Sequence, residues 1–286
     1  MRNSTTPIRQ SLLVTAVACA MTCELSRADS PTLMRWGSAP NVEGGPDLNE
    51  PLITDRPDFT EASSTVGLGV VQLEMGYTYS FDDDGTDRVV GHSYPEPLLR
   101  VGVLADWLEL RVGWNYATES VGGIRESGGE DLYLGFKIGL TPQVGLFPEM
   151  ALIPQMTVPT GADAFTADET LPGLNWVYGW DVTDCIATGG STQINRNIDE
   201  VVVDAYAEWA QSWTVNYGLH DRVGAYTEWF ALFPHSAVSA STEHYFDGGF
   251  TFLVNNNVQL DIRAGLGLND AADDYFAGAG LSIRFQ

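Results

Sequence analysis

The chain has 286 residues, is 44% hydrophobic and 11% aromatic, and holds 30 glycines. With 14 Lys+Arg against 38 Asp+Glu its formal net charge is -24, which excludes a nucleic-acid partner, because that contact rests on cationic side chains neutralising phosphates. Mean hydropathy is -0.06, and no apolar run approaches the roughly 18 residues a spanning helix needs. A spanning barrel stays open, since half of each of its strands is polar.

Arg2 and Arg9 flank the start of a short apolar stretch, Ser11 to Met21, and Ser26-Arg27-Ala28 is a small-x-small site. Residues 1–28 therefore read as an export signal. Cys19 and Cys23 leave with it, so Cys185 stands alone and a disulfide-stapled domain is out. Residues 29–65 are rich in Gly, Pro, Ser and Asp without a sustained period. They read as an irregular periplasmic lead-in or a plug, ahead of a barrel over 66–286.

Twelve segments then alternate with a period of two, the signature of strands with one apolar and one polar face. Val70–Phe81 sets Leu73, Met75, Tyr77 and Tyr79 against Gln72, Glu74 and Gly76. Pro97–Leu104 sets Leu99 and Val101 against Arg100. Leu108–Tyr116 sets Leu110, Val112 and Trp114 against Glu109, Arg111 and Gly113. Asp131–Leu140 sets Leu134, Phe136 and Ile138 against Asp131, Tyr133 and Lys137. Glu149–Val158 contains Pro154, which cannot donate to a ladder and predicts a bulge or break. Leu174–Thr183 sets Trp176, Tyr178 and Trp180 against Asn175 and Asp181; Ile186–Asn195 rests on position more than pattern. Val203–Tyr217 opposes Trp209 and Trp213 to Asp204, Glu208 and Ser212. Arg222–Phe233 opposes Trp229 to Tyr226 and Glu228, and Tyr245–Val254 opposes Phe246 and Phe250 to Asp247. In Val258–Leu268, Leu260 and Ile262 oppose Asp261 and Arg263. In Tyr275–Phe285, Ala277 to Phe285 oppose Gly278, Gly280, Ser282 and Arg284.

The connectors alternate between mostly short ones (105–106, 141–148, 184–185, 218–221, 255–257) and mostly longer, more polar ones (82–96, 117–130, 159–173, 196–202, 234–244, 269–274). Outer-membrane barrels show that asymmetry, with short periplasmic turns and longer external loops. Twelve strands, being even, put both termini in the periplasm. Aromatics mark two belts: Tyr79, Phe81, Trp114, Tyr116, Trp176, Phe233 and Tyr275 at outer strand ends, Trp213, Tyr217 and Phe285 at inner ends. The expected fold is all-β, a transmembrane antiparallel barrel of about 12 strands. A sandwich that buries the apolar faces is the competing architecture.

The stretch Ile53-Thr54-Asp55-Arg56-Pro57-Asp58-Phe59-Thr60, followed by Gln72-Leu73-Glu74-Met75-Gly76-Tyr77, resembles the meta-pathway of phenol degradation family of outer-membrane "transporter" proteins. The similarity continues at Gly129–Lys137, at Pro159-Thr160-Gly161 and along Asp274–Phe285, so it spans most of 53–285. The resemblance implies passage of small compounds, aromatic ones among them, through the outer membrane of a Gram-negative-type bacterium.

No zinc-helix, Cys-x-x-Cys or phosphate-loop sequence is present, so neither catalytic residues, cofactor nor metal is expected. Asp82–Asp87 gathers carboxylates that suit a hard cation, but the spacing is wrong for an EF-hand. His92 and His235 adjoin Ser93 and Ser236, which leaves a lipid hydrolase as a third function class. The expected lumen face carries Glu74, Glu109, Asp131, Glu149, Asp181, Asp204, Glu208, Glu228, Asp247 and Asp261 against Arg100, Arg111, Lys137, Arg263 and Arg284. It reads either as an ion-pair network that fills the lumen or as a pore lining that sorts solutes by charge. Asp55, Arg56, Pro57, Asp58 and Phe59 read either as a plug or as an extended lead into the first strand. Expected partners are outer-membrane lipid, the barrel assembly machinery and a small-molecule solute. The alternative function is a non-conducting structural or adhesion barrel.

Overall fold

A computed structural model describes residues 32–34, 48–83, 85, 87–199 and 201–285. The signal over 1–28, Cys19, Cys23 and part of the Asp82–Asp87 run (Asp84 and Thr86) lie outside the described residues. None of the described residues is helical.

The strands are β1 Val71–Asp83, β2 Arg88–Tyr94, β3 Leu98–Gly102, β4 Leu108–Gly113, β5 Tyr116–Val121, β6 Ile124–Gly129, β7 Leu132–Thr141 and β8 Glu149–Val158. They continue with β9 Leu171–Thr183, β10 Ile186–Ile198, β11 Ala205–His220, β12 Val223–His235, β13 Glu243–Asn255, β14 Val258–Gly267 and β15 Tyr275–Phe285. Three pairs of segments each form one stave of the wall. β3 lies beside the first half of β1 (Val71↔Val101) and β2 beside its second half (Thr78↔Ser93). Pro95 and Pro97, which lack an N–H, fall in the gap between them. β4/β5 and β6/β7 follow the same course, since β5 pairs with β2 and β6 while β4 pairs with β3 and β7. Every pairing is antiparallel, and β15 closes on β1 from Val71↔Phe285 to Phe81↔Tyr275. The result is a closed twelve-stranded barrel in which, among the described residues, only β6 at the rim has a strand partner on one side alone.

Exposure decides between barrel and sandwich. Phe136 is 46% exposed while its neighbour Lys137 is 0% exposed; Ile262 is 48% exposed while Asp261 is 2% exposed. A water-soluble sandwich would reverse both. The apolar faces point outward and the polar faces inward, as in a barrel whose solvent is lipid.

Residues 82–96 and 117–130 are not loops. β2, β5 and β6 extend the wall there, and β5 and β6 are joined by the two-residue turn Gly122-Gly123, with φ of +56° and +88°, the positive φ such tight hairpins require. Those strands carry polar residues on both faces, so alternation gave no sign of them. The same extension leaves Trp176 and Trp213 well inside β9 and β11 rather than at strand ends. β11 begins at Ala205, because Val203 has left-handed φ (+53°) in the preceding turn. β8 runs through Pro154 without a break, although its pairing with β7 is interrupted between Leu152 and Gln155.

One acid ties two of the long loops together. Buried Asp199 accepts N–H groups from Val201, Val202, Val238 and Ser239, and these donors hold its carboxyl well below the usual range.

Candidate functional site: the barrel lumen

Residues 51–66 run inside the barrel without regular structure, and their contacts define two lumen walls. The first is built by β1, β3, β4 and β7, whose inward positions are Glu74, Arg100, Glu109, Arg111 and Lys137, each at most 1% exposed. Asp55 enters this group. Its carboxylate takes Lys137 Nζ at 2.6 Å, Arg100 Nε at 3.2 Å and Arg111 Nη1. Arg100 also reaches Glu109 Oε1 (2.8 Å) and Glu74 Oε1 (2.9 Å), and Arg111 reaches Glu61. Backbone N–H groups of Asp55 and Arg56 donate to Glu74. Burial alone would raise the Asp55 pKa, but Arg100, Lys137 and Arg111 hold it well below the usual carboxylate range.

The second wall is built by β11 to β14. Glu228 accepts the N–H of Phe59 at 2.6 Å, the N–H of Thr60 at 2.8 Å and the Thr60 hydroxyl. Thr60 meets Ser212, which meets Ser191, and Tyr226 donates to Asp247 at 2.6 Å. Asp58 lies beside Glu228 and Asp247. Burial and those two carboxylates push its pKa well above the ordinary value. Arg263 borders this wall, donating to Pro57 O and to Thr78.

Arg56 bridges the walls. Its guanidinium pairs with Glu96 at 2.8 Å and Asp261 at 3.5 Å. It fits because Gly76 and Gly280 face each other across β1 and β15. A Cβ on either would come within 2.3–2.4 Å of the guanidinium group.

Four expected lining residues lie apart from both walls. Asp131 precedes β7 and accepts N–H groups of Thr160, Gly161 and Ala167. Partial burial opposes its charge, but these donors hold its carboxyl low. It braces a loop. Asp181 is exposed near the end of β9, and its backbone is bound to Gln143. Asp204 is exposed in a turn, where its carboxylate accepts the N–H of Ala205. Arg284 is buried at the short-turn end and holds the carbonyls of Leu48 and Glu50. Glu208 is half-buried on the inward face of β11, where Tyr206 approaches it at 3.5 Å. Glu149 accepts Ser63 Oγ at 2.6 Å.

Sequence reasoning did not single out Glu61, Thr60 and Ser63, because an irregular segment has no period that assigns a face. It also missed three inward rings, Phe230, Tyr245 and Phe276. Each sits two residues from a recognised inward position (Glu228, Asp247, Gly278), so strict counting would have found them. His92 bonds Tyr77 at 2.8 Å, and His244 stacks on Trp229. Among the described residues no group of three or more His, Cys, Asp or Glu side chains is placed to hold a metal.

No curated protein matches this sequence. Among solved structures, the COG4313 outer membrane channel from Pseudomonas putida F1 aligns with a TM-score of 0.61 at 15% identity, over 80% of this chain and 99% of that one. The translocator domain of autotransporter NalP from Neisseria meningitidis aligns with a TM-score of 0.50 at 12% identity, over 77% of this chain and 89% of that one. Both likenesses concern the fold. The family model described as "Putative MetA-pathway of phenol degradation" matches residues 54–285, from the lumen segment through the closing strand, and the chain belongs to that family.

Proposed function

We propose that the protein is an outer-membrane barrel for passive passage of small solutes, hydrophobic or aromatic ones among them, with residues 51–66 as the element that narrows the lumen. The observation that carries this reading is the inverted wall, apolar outside and charged inside, around a segment held there only by noncovalent contacts. Family membership and the channel-like fold support it. Strong fields line the lumen, and carboxylates there raise the entry barrier for anions more than for cations or neutral molecules.

Purified protein in planar bilayers should give small conductance with a preference for cations, and a variant lacking residues 51–66 should conduct more. Cell fractionation should recover the chain with the outer membrane, with heat-modifiable gel mobility; recovery as a soluble periplasmic monomer would sink the reading. A second reading, a closed structural barrel, is favoured by the buried ion pairs that fill the first wall. It stands if folded protein neither conducts nor admits small solutes into liposomes.

A further inference from the structure

We propose that Phe230, Tyr245 and Phe276 form a subsite for an uncharged planar aromatic ring, and that Phe59 is a tethered occupant of it. The proposal rests on the passage reading and names the solute class of the same lumen. The inward face of this barrel is mostly polar, with Ile153 and Val177 as scattered apolar exceptions. On β12, β13 and β15 three rings gather into one cluster, at the end of the barrel that carries the long loops. Phe230 and Tyr245 are buried and stack with centroids 4.7 Å apart and planes 17° from parallel. Phe276 meets both at an angle, 6.3 Å from Phe230 and 6.1 Å from Tyr245. Buried Ala272 covers the cluster from the loop between β14 and β15.

Phe59 shows what the cluster accepts. Its ring lies 4.6 Å from that of Phe230 with planes 2° apart, the geometry in which two π faces attract. It reaches that position from an irregular segment, so no strand register obliges it to be there. The wall is also cut to admit rings: a Cβ on Gly265 would lie 2.3 Å from the Phe276 ring, so this inward glycine gives Phe276 its place.

The surroundings set the charge of the guest. Glu228 lies two residues from Phe230 on one face, and Asp247 two residues from Tyr245, so a carboxylate-bearing solute would be repelled. Arg263 lies over the Phe276 ring at 5.5 Å and is already bound to Pro57 and Thr78. A neutral ring that takes the place of Phe59 would loosen the neighbouring contacts of Phe59 and Thr60 with Glu228. Solute entry is thereby coupled to release of the narrowing segment.

The test is equilibrium binding to the full-length protein in nanodiscs, read by ligand-observed NMR, with empty nanodiscs subtracted. It uses benzyl alcohol, cyclohexylmethanol and benzoate. Phe59→Ala vacates the slot and should bind benzyl alcohol at least tenfold more tightly than the parent chain. Cyclohexylmethanol, which has no π face, and benzoate, which is anionic, should each bind several-fold more weakly than benzyl alcohol. Adding Phe230→Ala should abolish the gain. Heat-modifiable mobility verifies folding, and Phe59→Val, which removes stacking and leaves much of the slot open, carries the comparison if the alanine variant fails to fold. Equal affinity for the aromatic and saturated alcohols, or no gain on opening the slot, overturns the proposal. A barrel that binds rings selectively but never conducts keeps the subsite and loses passage; one that conducts without ring-selective binding does the reverse.

Discussion

The same short segment is seated on two walls by opposite chemistry. On the β1–β7 side Asp55 meets Arg100, Arg111 and Lys137, and each of those cations has at most 1% of its side chain exposed. On the β11–β14 side Asp58 faces Glu228 and Asp247, and the segment is held by N–H and hydroxyl donors to Glu228. The first wall is a cross-braced set of buried charges in which no member is dispensable, because each desolvated ion depends on the others. The second is an excess of acid satisfied by neutral donors, which can be released one contact at a time. One wall fixes the segment; the other lets it respond.

The largest expected effect follows from the fixing wall. Arg100→Leu removes the guanidinium that Asp55, Glu74 and Glu109 share, so Asp55 and Glu109 fall back on Arg111 and Glu74 loses its ion pair, a loss of about 3–5 kcal/mol by the usual cost of breaking a buried pair. Urea unfolding followed by heat-modifiable mobility should show it. A midpoint equal to that of the parent chain would mean that water already screens this cluster. On the second wall Glu228→Gln keeps one acceptor oxygen, enough for Thr60 or for Phe59 but not for both, and removes one of three crowded acids. The expected change there is only about 1 kcal/mol in either direction, the scale of a single hydrogen bond. Equal losses from the two substitutions would erase the distinction between the walls.

The walls should also part company with pH. Asp58 has a raised pKa, so its protonated form is the seated one. Its contribution is complete below the ordinary carboxylate range and is lost as pH rises through the raised value. Asp55 has a lowered pKa, so its contribution is present above the ordinary carboxylate value and is lost only as pH falls through the depressed one. Amide hydrogen exchange, corrected for intrinsic base catalysis, should show Phe59 and Thr60 losing protection toward alkaline pH while the Asp55 amide keeps it. Asp58→Asn should flatten that dependence. Parallel loss at all three amides would show that the segment moves as one rigid body.

How much of this was legible in the sequence follows from where the solvent is. Strand residues between lipid and lumen must alternate, so Glu74, Arg100, Glu109, Arg111, Lys137, Glu228, Asp247 and Asp261 were placed on one face from spacing alone. β2, β5 and β6 escape this rule, because Arg88–Tyr94 and Ile124–Gly129 have polar residues on both faces. Asp131 kept the right parity and still left the lumen group, since it lies just before β7 begins and the 159–168 loop takes its carboxylate. Parity fixes which way a side chain points only where a ladder fixes the backbone. Residues 51–66 have no ladder, and sequence left them between two readings that only contacts distinguish.

Glycines at the seam between the walls supply the smallest expected effect and a sharp contrast with a neighbour. At Gly76 an added Cβ would come within 2.3 Å of Arg56, but the atoms it meets are the far end of a flexible side chain. The guanidinium can shift toward Glu96, its nearer partner at 2.8 Å, and surrender the 3.5 Å contact with Asp261. Gly76→Ala should therefore change unfolding stability by no more than about 1 kcal/mol, within the ordinary range for single substitutions. At Gly102 the added Cβ would lie 1.5 Å from the carbonyl oxygen of Gly67, and backbone cannot step aside as an arginine tip can. Gly102→Ala should cost about 1–3 kcal/mol, the usual range for overpacking. If Gly76→Ala proves the costlier of the two in the same urea titration, Arg56 is pinned as firmly as the backbone. The bridge between the walls would then belong with the fixed wall rather than the responsive one.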